Sequence, residues 1–194
     1  MVLPLKKESI SKVVDLHKQV LGHTLNARIG SWFLEKLYEE TMLAKENGRC
    51  FVSFEDEKVV GFVSICLDYE ALSSRIMSSL TLVQKIKVSI FMGSHFWLIP
   101  DFFKKQLFSR YIKANMPQPY PMVLTIGVDS NQQGNGIGKQ LMHEVKTSFR
   151  KHNLTEFYLD TEETNEQAIG FYKKIGFDEI ARKYGNVVLQ YKLN

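Results

Sequence analysis

The residues best suited to chemistry form one short run, Gln133-Gly134-Asn135-Gly136-Ile137-Gly138-Lys139, set between a continuous apolar segment and a helix-patterned one. Glycines this dense let a backbone turn tightly and let successive N–H groups face one concavity. A helix that starts at once adds the positive end of its dipole. The chemistry on offer is anion binding: a pyrophosphate held on backbone amides without a metal, with Gln133 and Lys139 adding donors at the edge. Two familiar nucleotide motifs fail here. The pattern G-x-x-x-x-G-K-[ST], aligned on Gly138-Lys139, meets Gln133 at its first glycine and Gln140 at its hydroxyl. The pattern G-x-G-x-x-G fails from Gly134, which meets Lys139, and from Gly136, which meets Leu141. Taken alone, the glycines also suit a turn that only packs a strand against a helix.

The elements that must position this run are readable from periodicity. Met122–Val128 is a buried strand by its unbroken apolar run, and Gly136–His152 is a helix with Ile137, Leu141, Val145 and Phe149 in register. Upstream, Val2–Lys6 reads as a strand, Glu8–Leu21 as a helix, Ser31–Lys45 as a second helix, and Cys50–Phe54 with Val59–Leu67 as a hairpin turning at Asp56-Glu57-Lys58. Downstream come a strand at Phe157–Thr161 and a helix opened by a Thr164-x-x-Gln167 capping box, with Tyr172 on its apolar face and Gly176 as its stop. Strands near Asp178–Lys183 and Val187–Lys192 end the chain.

Two segments placed on these elements carry a resemblance. Val128-x-x-x-x-Gln133-x-x-Gly136-x-Gly138 resembles the acetyl-CoA-binding motif of the GNAT superfamily of N-acetyltransferases, and Asn165-x-x-Ala168-x-x-Phe171-Tyr172-x-x-x-Gly176-Phe177 is similar to its other recurrent segment. The element order resembles the family over 2–68 and 122–194. Ser130 departs from it, standing where many members carry proline. The resemblance implies an α+β (mixed α/β) fold: a central, mostly antiparallel sheet of about seven strands flanked by helices. It implies acetyl-CoA as co-substrate. The pantetheine arm would pair with backbone groups of Ile126 and Val128 where two strands splay, and Gly127 would leave that approach clear. The pyrophosphate would sit on the amides from Gln133 through Gly134, Asn135, Gly136 and Ile137 to Gly138. Asn165 corresponds to the residue that bonds the pantetheine side, and the Val128 N–H to an oxyanion donor. Tyr172 matches the general acid; a phenol near pKa ~10 suits a thiol leaving group. The same tyrosine also completes its helix's apolar stripe, which a plain core residue would do. No base is assigned: Glu70, Asp68 and His23 are candidates beside a water relay.

Residues 71–120 fall outside the resemblance, as a helical insertion before the fourth strand. They hold seven basic residues against one acidic, Asp101, within a chain of net charge +4. Phe91, Phe96, Trp97, Phe102, Phe103, Phe108, Tyr111 and Tyr120 make the segment aromatic, and Phe103, Leu107, Phe108 and Tyr111 fit one helical face among Lys104, Lys105, Arg110 and Lys113. A subdomain burying its own core, a lid over the acceptor, and a peripheral contact with a membrane or an acyl-carrier protein all fit. The basic residues show no nucleic-acid reader fold, so nucleic acid is not an expected partner.

Composition sets the outer bounds. Apolar content of 44% and charged content of 24% describe an ordinary folded globular protein, and 194 residues suit one domain, which the resemblance implies is a single N-acetyltransferase domain over 1–194. No apolar run suits a signal peptide or a membrane span, and Cys50 and Cys66 read as buried thiols in a reducing compartment, so a cytoplasmic location is expected. The scattered histidines predict no metal. The resulting expectation is acetyl transfer to a primary amine of a small molecule or amino sugar, by a monomer or homodimer. A protein or peptide acceptor and a non-catalytic acyl-CoA-binding module are the alternatives.

Overall fold

The computed structural model describes residues 1–95 and 99–193, with side chains at 99–102 and 105 left out. Phe96, Trp97, Asp101, Phe102 and Lys105, counted above in the insertion, lie outside the described side chains.

The strands are β1 (Val2–Pro4), β2 (Gly48–Glu55), β3 (Lys58–Cys66), β4 (Met122–Val128), β5 (Glu156–Glu162), β6 (Asp178–Lys183) and β7 (Asn186–Lys192). They form one seven-stranded sheet in the order β1-β2-β3-β4-β5-β7-β6, antiparallel throughout except for the β4–β5 pair. The β2–β3 hairpin turns through Asp56 and Glu57, both at positive φ, as a tight hairpin of this hand requires. The helices are α1 (Ile10–Leu21), α2 (Leu25–Ile29), α3 (Ser31–Leu43), α4 (Tyr69–Ser79), α5 (Leu82–Ser94), α6 (Ile99–Asn115), α7 (Ile137–Lys151) and α8 (Glu166–Lys174). The expected fold class holds, and three of these helices, α4 to α6, are the insertion before β4.

Alternation along the strands divides the core between two faces. Val63, Ile65 and Leu159 pack with Leu141, Val145 and Phe149 of α7 on one face. On the other, Val52 and Phe62 pack with Val13 and Leu34 of α1 and α3. Beside them Cys66, Met122, Tyr158 and Val188 pack with Leu72 and Ile76 of α4 and Phe108 of α6. Glu40 of α3, buried, bonds both Lys36 and Arg75 at 2.9 Å and so ties α4 to α3. Burial acts to raise its carboxyl, but the two cations outweigh this and hold it below the usual range.

The insertion departs from the expected helical face. Phe108 is buried with Ile112 and Met116 beside it, an i, i+4, i+8 stripe, whereas Phe103 is 61% exposed and Leu107 43%. Two stripes on α6 share Phe108, and the sheet selects the one continued by Ile112. Helix α5 has no buried residue, although Leu82, Val83, Ile86 and Ile90 are all on it.

Candidate active site

The site begins with a fault in the sheet. β3 and β4 pair from Gly61↔Val128 inward, but the register shifts between Ser64, opposite Thr125, and Ile65, opposite Val123. Leu124 is therefore an extra residue on β4, and a bulge of this kind bends its strand and sharpens the twist. β4 leaves β5 at the same level. The two share one bridged pair, Met122↔Tyr158, and the Tyr158 N–H donates to Pro121 O at 2.9 Å. Beyond Met122 the strands diverge, so the edge of β4 from Leu124 to Val128 faces a gap instead of a neighbour.

That gap opens into a cleft of about 620 Å³. Ile126 of β4, Asn165 at the start of α8 and Tyr172 within α8 line it together. The glycine run follows at the far end of β4. Asp129, buried, turns the chain: its Oδ1 accepts from the Asn131 N–H at 3.1 Å and its Oδ2 from Lys58 at 2.8 Å, and these donors hold its carboxyl below the usual range. Gly134 and Gly136 take φ of +87° and +80°, and nothing lies within 4 Å of where a Cβ would stand on either. The loop is thus left-handed at both positions and open on that side. Gly136 caps α7, so the positive end of that helix's dipole lies at the loop. Gln133 Oε1 accepts from Gln167 Nε2 at 3.1 Å, linking loop to α8, while Asn135 Nδ2 donates to Gln132 Oε1 at 2.8 Å. Ile137 is buried in the core beneath the loop, and Lys139 is exposed at its rim.

Two glycines serve packing first. A Cβ on Gly127 would stand 2.7 Å from Phe62 and 2.8 Å from Val20, so the expected clearance for a ligand is instead clearance for α1 and β3. A Cβ on Gly138 would meet the Phe171 ring at 3.1 Å, which sets the approach of α8 to α7. The expected capping box is also displaced by one residue. Asn165, not Thr164, is the N-cap of α8, its Oδ1 accepting from the Ala168 N–H at 3.2 Å. Asparagine is the stronger cap of the two.

Tyr172 has both of the characters read from its position. Its ring is 7% exposed, packed edge-on to Phe171 and tilted against Phe177, and it also lines the cleft. Burial, and then the Asp160 carboxylate, push its hydroxyl above the usual phenol range, so the proton stays on it through neutral pH.

Of the base candidates, Glu70 and His23 line the cleft, with Glu70 3.6 Å from Lys113. Asp68 instead caps α4 through the Ala71 N–H at 3.0 Å. Four residues of the cleft were not anticipated from sequence: Asp160 and Glu162 of β5, His17 of α1 and Tyr120. Asp160 alternates with inward-facing Leu159, which is its only local signal; the other three have none. The insertion walls the cleft with Phe108, Ile112 and Lys113.

Comparison with known proteins gives this geometry a family. Residues 20–177 match the model of the Acetyltransferase (GNAT) family. Mycothiol acetyltransferase of Saccharomonospora viridis is 35% identical over 63 residues, 32% of this chain and 21% of that protein. N-alpha-acetyltransferase RimI of Mycobacterium tuberculosis is 36% identical over 67 residues, 34% of this chain and 40% of that protein. Each match thus spans less than two thirds of its relative. The structure of the PaiA N-acetyltransferase of Thermoplasma acidophilum, in complex with coenzyme A, superposes with a TM-score of 0.63 at 15% identity, over 99% of this chain and 98% of that one. The chain belongs to the GNAT acetyltransferase family.

Proposed function

We propose that this protein transfers an acetyl group from acetyl-CoA to a primary amine of a small molecule by direct attack of the nitrogen on the thioester. The observation that carries this reading is the open edge of β4, which has a cleft lined by Ile126, Asn165 and Tyr172 along it and an open glycine loop following at its far end. The backbone of Ile126 and Val128 presents unpaired strand groups to an extended arm. The amides from Gln133 to Gly138, with Lys139 at the rim, offer a pyrophosphate its donors. Asn165 Nδ2 stays available at the cleft because its oxygen caps α8. The Val128 N–H supplies a donor for charge developing on the carbonyl oxygen, and the Tyr172 hydroxyl a proton for the departing sulfur.

A small acceptor is favoured over a protein one because α4 and α6 wall the cleft where a polypeptide would have to pass. The insertion has a second role on its outer side. Leu82, Val83, Ile86 and Ile90 of α5 and Phe103 of α6 are exposed apolar groups within the basic segment, a composition that suits an anionic membrane surface. A symmetric contact between two copies through this face would set like charges against each other.

The test of the acetyl-transfer reading is twofold. Acetyl-CoA should raise the melting temperature by mass action where ATP and NAD do not, and an amine panel should release free thiol from acetyl-CoA. Stabilisation without thiol release from any amine would leave an acyl-CoA-binding module. No stabilisation would end the reading. Gly136→Asp, which puts a carboxylate at the loop, should abolish the acetyl-CoA shift.

A further inference from the structure

The glycine loop is held from outside by the β2–β3 turn, far away in the chain. On one side of that turn Lys58 donates to Asp129 Oδ2 at 2.8 Å; on the other, Glu55 Oε2 accepts from Gln132 Nε2 at 2.5 Å. Gln132 carries the second contact inward, because its Oε1 accepts from Asn135 Nδ2 at 2.8 Å. The backbone adds its own links: the Asp129 N–H donates to Val60 O at 2.9 Å, and the Gln132 N–H to Asp129 O at 2.8 Å. The hairpin is itself anchored to the body, where Lys12 of α1 donates to Glu57 O at 3.1 Å. A chain of bonds thus runs from α1 through the hairpin to the middle of the loop.

Charge makes one of these links more than a strut. The Asp129 side chain is 1% exposed and that of Lys58 66%. A buried carboxylate at the entrance to an anion-binding loop has the wrong sign for its place, and burial weakens the screening of its field. The turn itself does not need that charge: an asparagine at 129 could accept from the Asn131 N–H as the aspartate does. Lys58 is therefore the partner that makes Asp129 compatible with a pyrophosphate. Removing the lysine alone would leave the negative charge buried and unopposed.

Resting on the acetyl-transfer reading, we propose that the β2–β3 turn is part of the acetyl-CoA site, with Lys58 and Glu55 as positioning residues. Glu55 holds Gln132, and through it Asn135, so that the loop keeps the open form that receives the pyrophosphate. Lys58 offsets the Asp129 charge that would otherwise repel it. Neither side chain exchanges a proton or touches the acetyl group; both act on how tightly the donor is held. Two residues of a hairpin turn, outside both motif segments, thus set donor affinity.

The experiment uses the full chain and reads the thermal shift by acetyl-CoA beside steady-state thiol release. Lys58→Gln should raise the acetyl-CoA KM by about 10-fold at low salt, the scale of one charge acting on another near a protein surface. The amine KM and the kcat at saturating acetyl-CoA should stay in place, and added salt should narrow the gap from the parent. Lys58→Gln with Asp129→Asn should recover most of the loss, because no charge is left to offset; a purely structural link predicts a further loss instead. Lys58→Arg should match the parent. Glu55→Ala should raise the acetyl-CoA KM without that salt dependence. If Lys58→Gln does not fold, Asp129→Asn alone decides: it leaves the Lys58 charge unopposed and should lower the acetyl-CoA KM. An unchanged KM in Lys58→Gln, a loss that the double variant does not recover, or a raised KM in Asp129→Asn overturns the inference while the parent's acetyl-CoA shift still supports the earlier reading. A parent without that shift overturns both.

Discussion

The ring of Tyr120 lies on that of Tyr158, centroids 4.7 Å apart and planes 17° from parallel. Tyr120 ends the insertion and Tyr158 is the β5 residue bridged to Met122, so the stack stands at the apex from which β4 and β5 diverge. Beneath it the Tyr158 hydroxyl donates to Glu156, which also accepts from Gln190 at 2.6 Å. The insertion is thereby joined to the sheet at the point where the cleft begins, and its first inward residues become cleft wall.

Tyr172→Phe removes a hydroxyl and keeps a ring packed against Phe171 and Phe177. Turnover should fall by about 10²-fold, the scale of a general acid. The acetyl-CoA KM should change little. Steady-state thiol release measures both, and an unchanged rate would leave Tyr172 as a core residue alone.

Phe108 and Phe103 separate the inner and outer faces of α6. Phe108→Ala should raise the acceptor KM with the acetyl-CoA KM unchanged, and cost about 3–5 kcal/mol of stability, as truncation of a buried aromatic does. Phe103→Ala, at a 61% exposed position, should do neither. Denaturant titration beside steady-state kinetics reads both variants.

His17 makes stability depend on pH. Burial, and then His23, depress its imidazole from 6.5 to about 4. Between those values the unfolded chain binds a proton that the folded chain refuses, so stability falls as pH falls from 6.5 toward 4 and the loss levels off below that. The full effect is about 3 kcal/mol. His17→Phe keeps a ring over Phe62 and removes the titrating group. Its melting temperature should therefore drop less than the parent's between pH 7 and pH 4.5; an equal drop would show that His17 carries none of the dependence.

The outer face of the insertion is tested with vesicles. The protein should co-sediment with vesicles rich in anionic lipid at low salt and not with neutral ones, with the bound fraction falling as salt rises. Lys85→Glu with Lys104→Glu should abolish it, and Ile86→Ser with Ile90→Ser should weaken it. Retention of binding by the charge-reversed variant would exclude the electrostatic component.

Much of the scaffold was legible because it rests on local physics. The unbroken run Met122–Val128 is β4 residue for residue, and Gly134 and Gly136 stand where left-handed turns are needed. Gly176, at φ +100°, ends α8 as read. The cleft was legible only on the side where motif residues lie. His17 reads as one more member of α1's inner stripe, and Tyr120 as one aromatic of a turn; their shared property, an unpaired atom in one cavity, exists only after folding. The face of α6 was misread because apolar residues surround it, so spacing alone supports two stripes.

The bridge between Met122 and Tyr158 has a mechanical consequence. Strands β1 to β4 and strands β5, β7 and β6 are each laced by antiparallel ladders, yet between the two halves the strand pairing is a single bridged pair. The sheet is thus two half-sheets with a seam in its backbone pairing, bridged from one face by the core around α7. An occupant bonded to both strand edges would lace that seam along its length. The stiffness of the whole sheet would then rise and fall with occupancy, and slowed amide exchange in β5 and β7, far from the glycine loop, would report it.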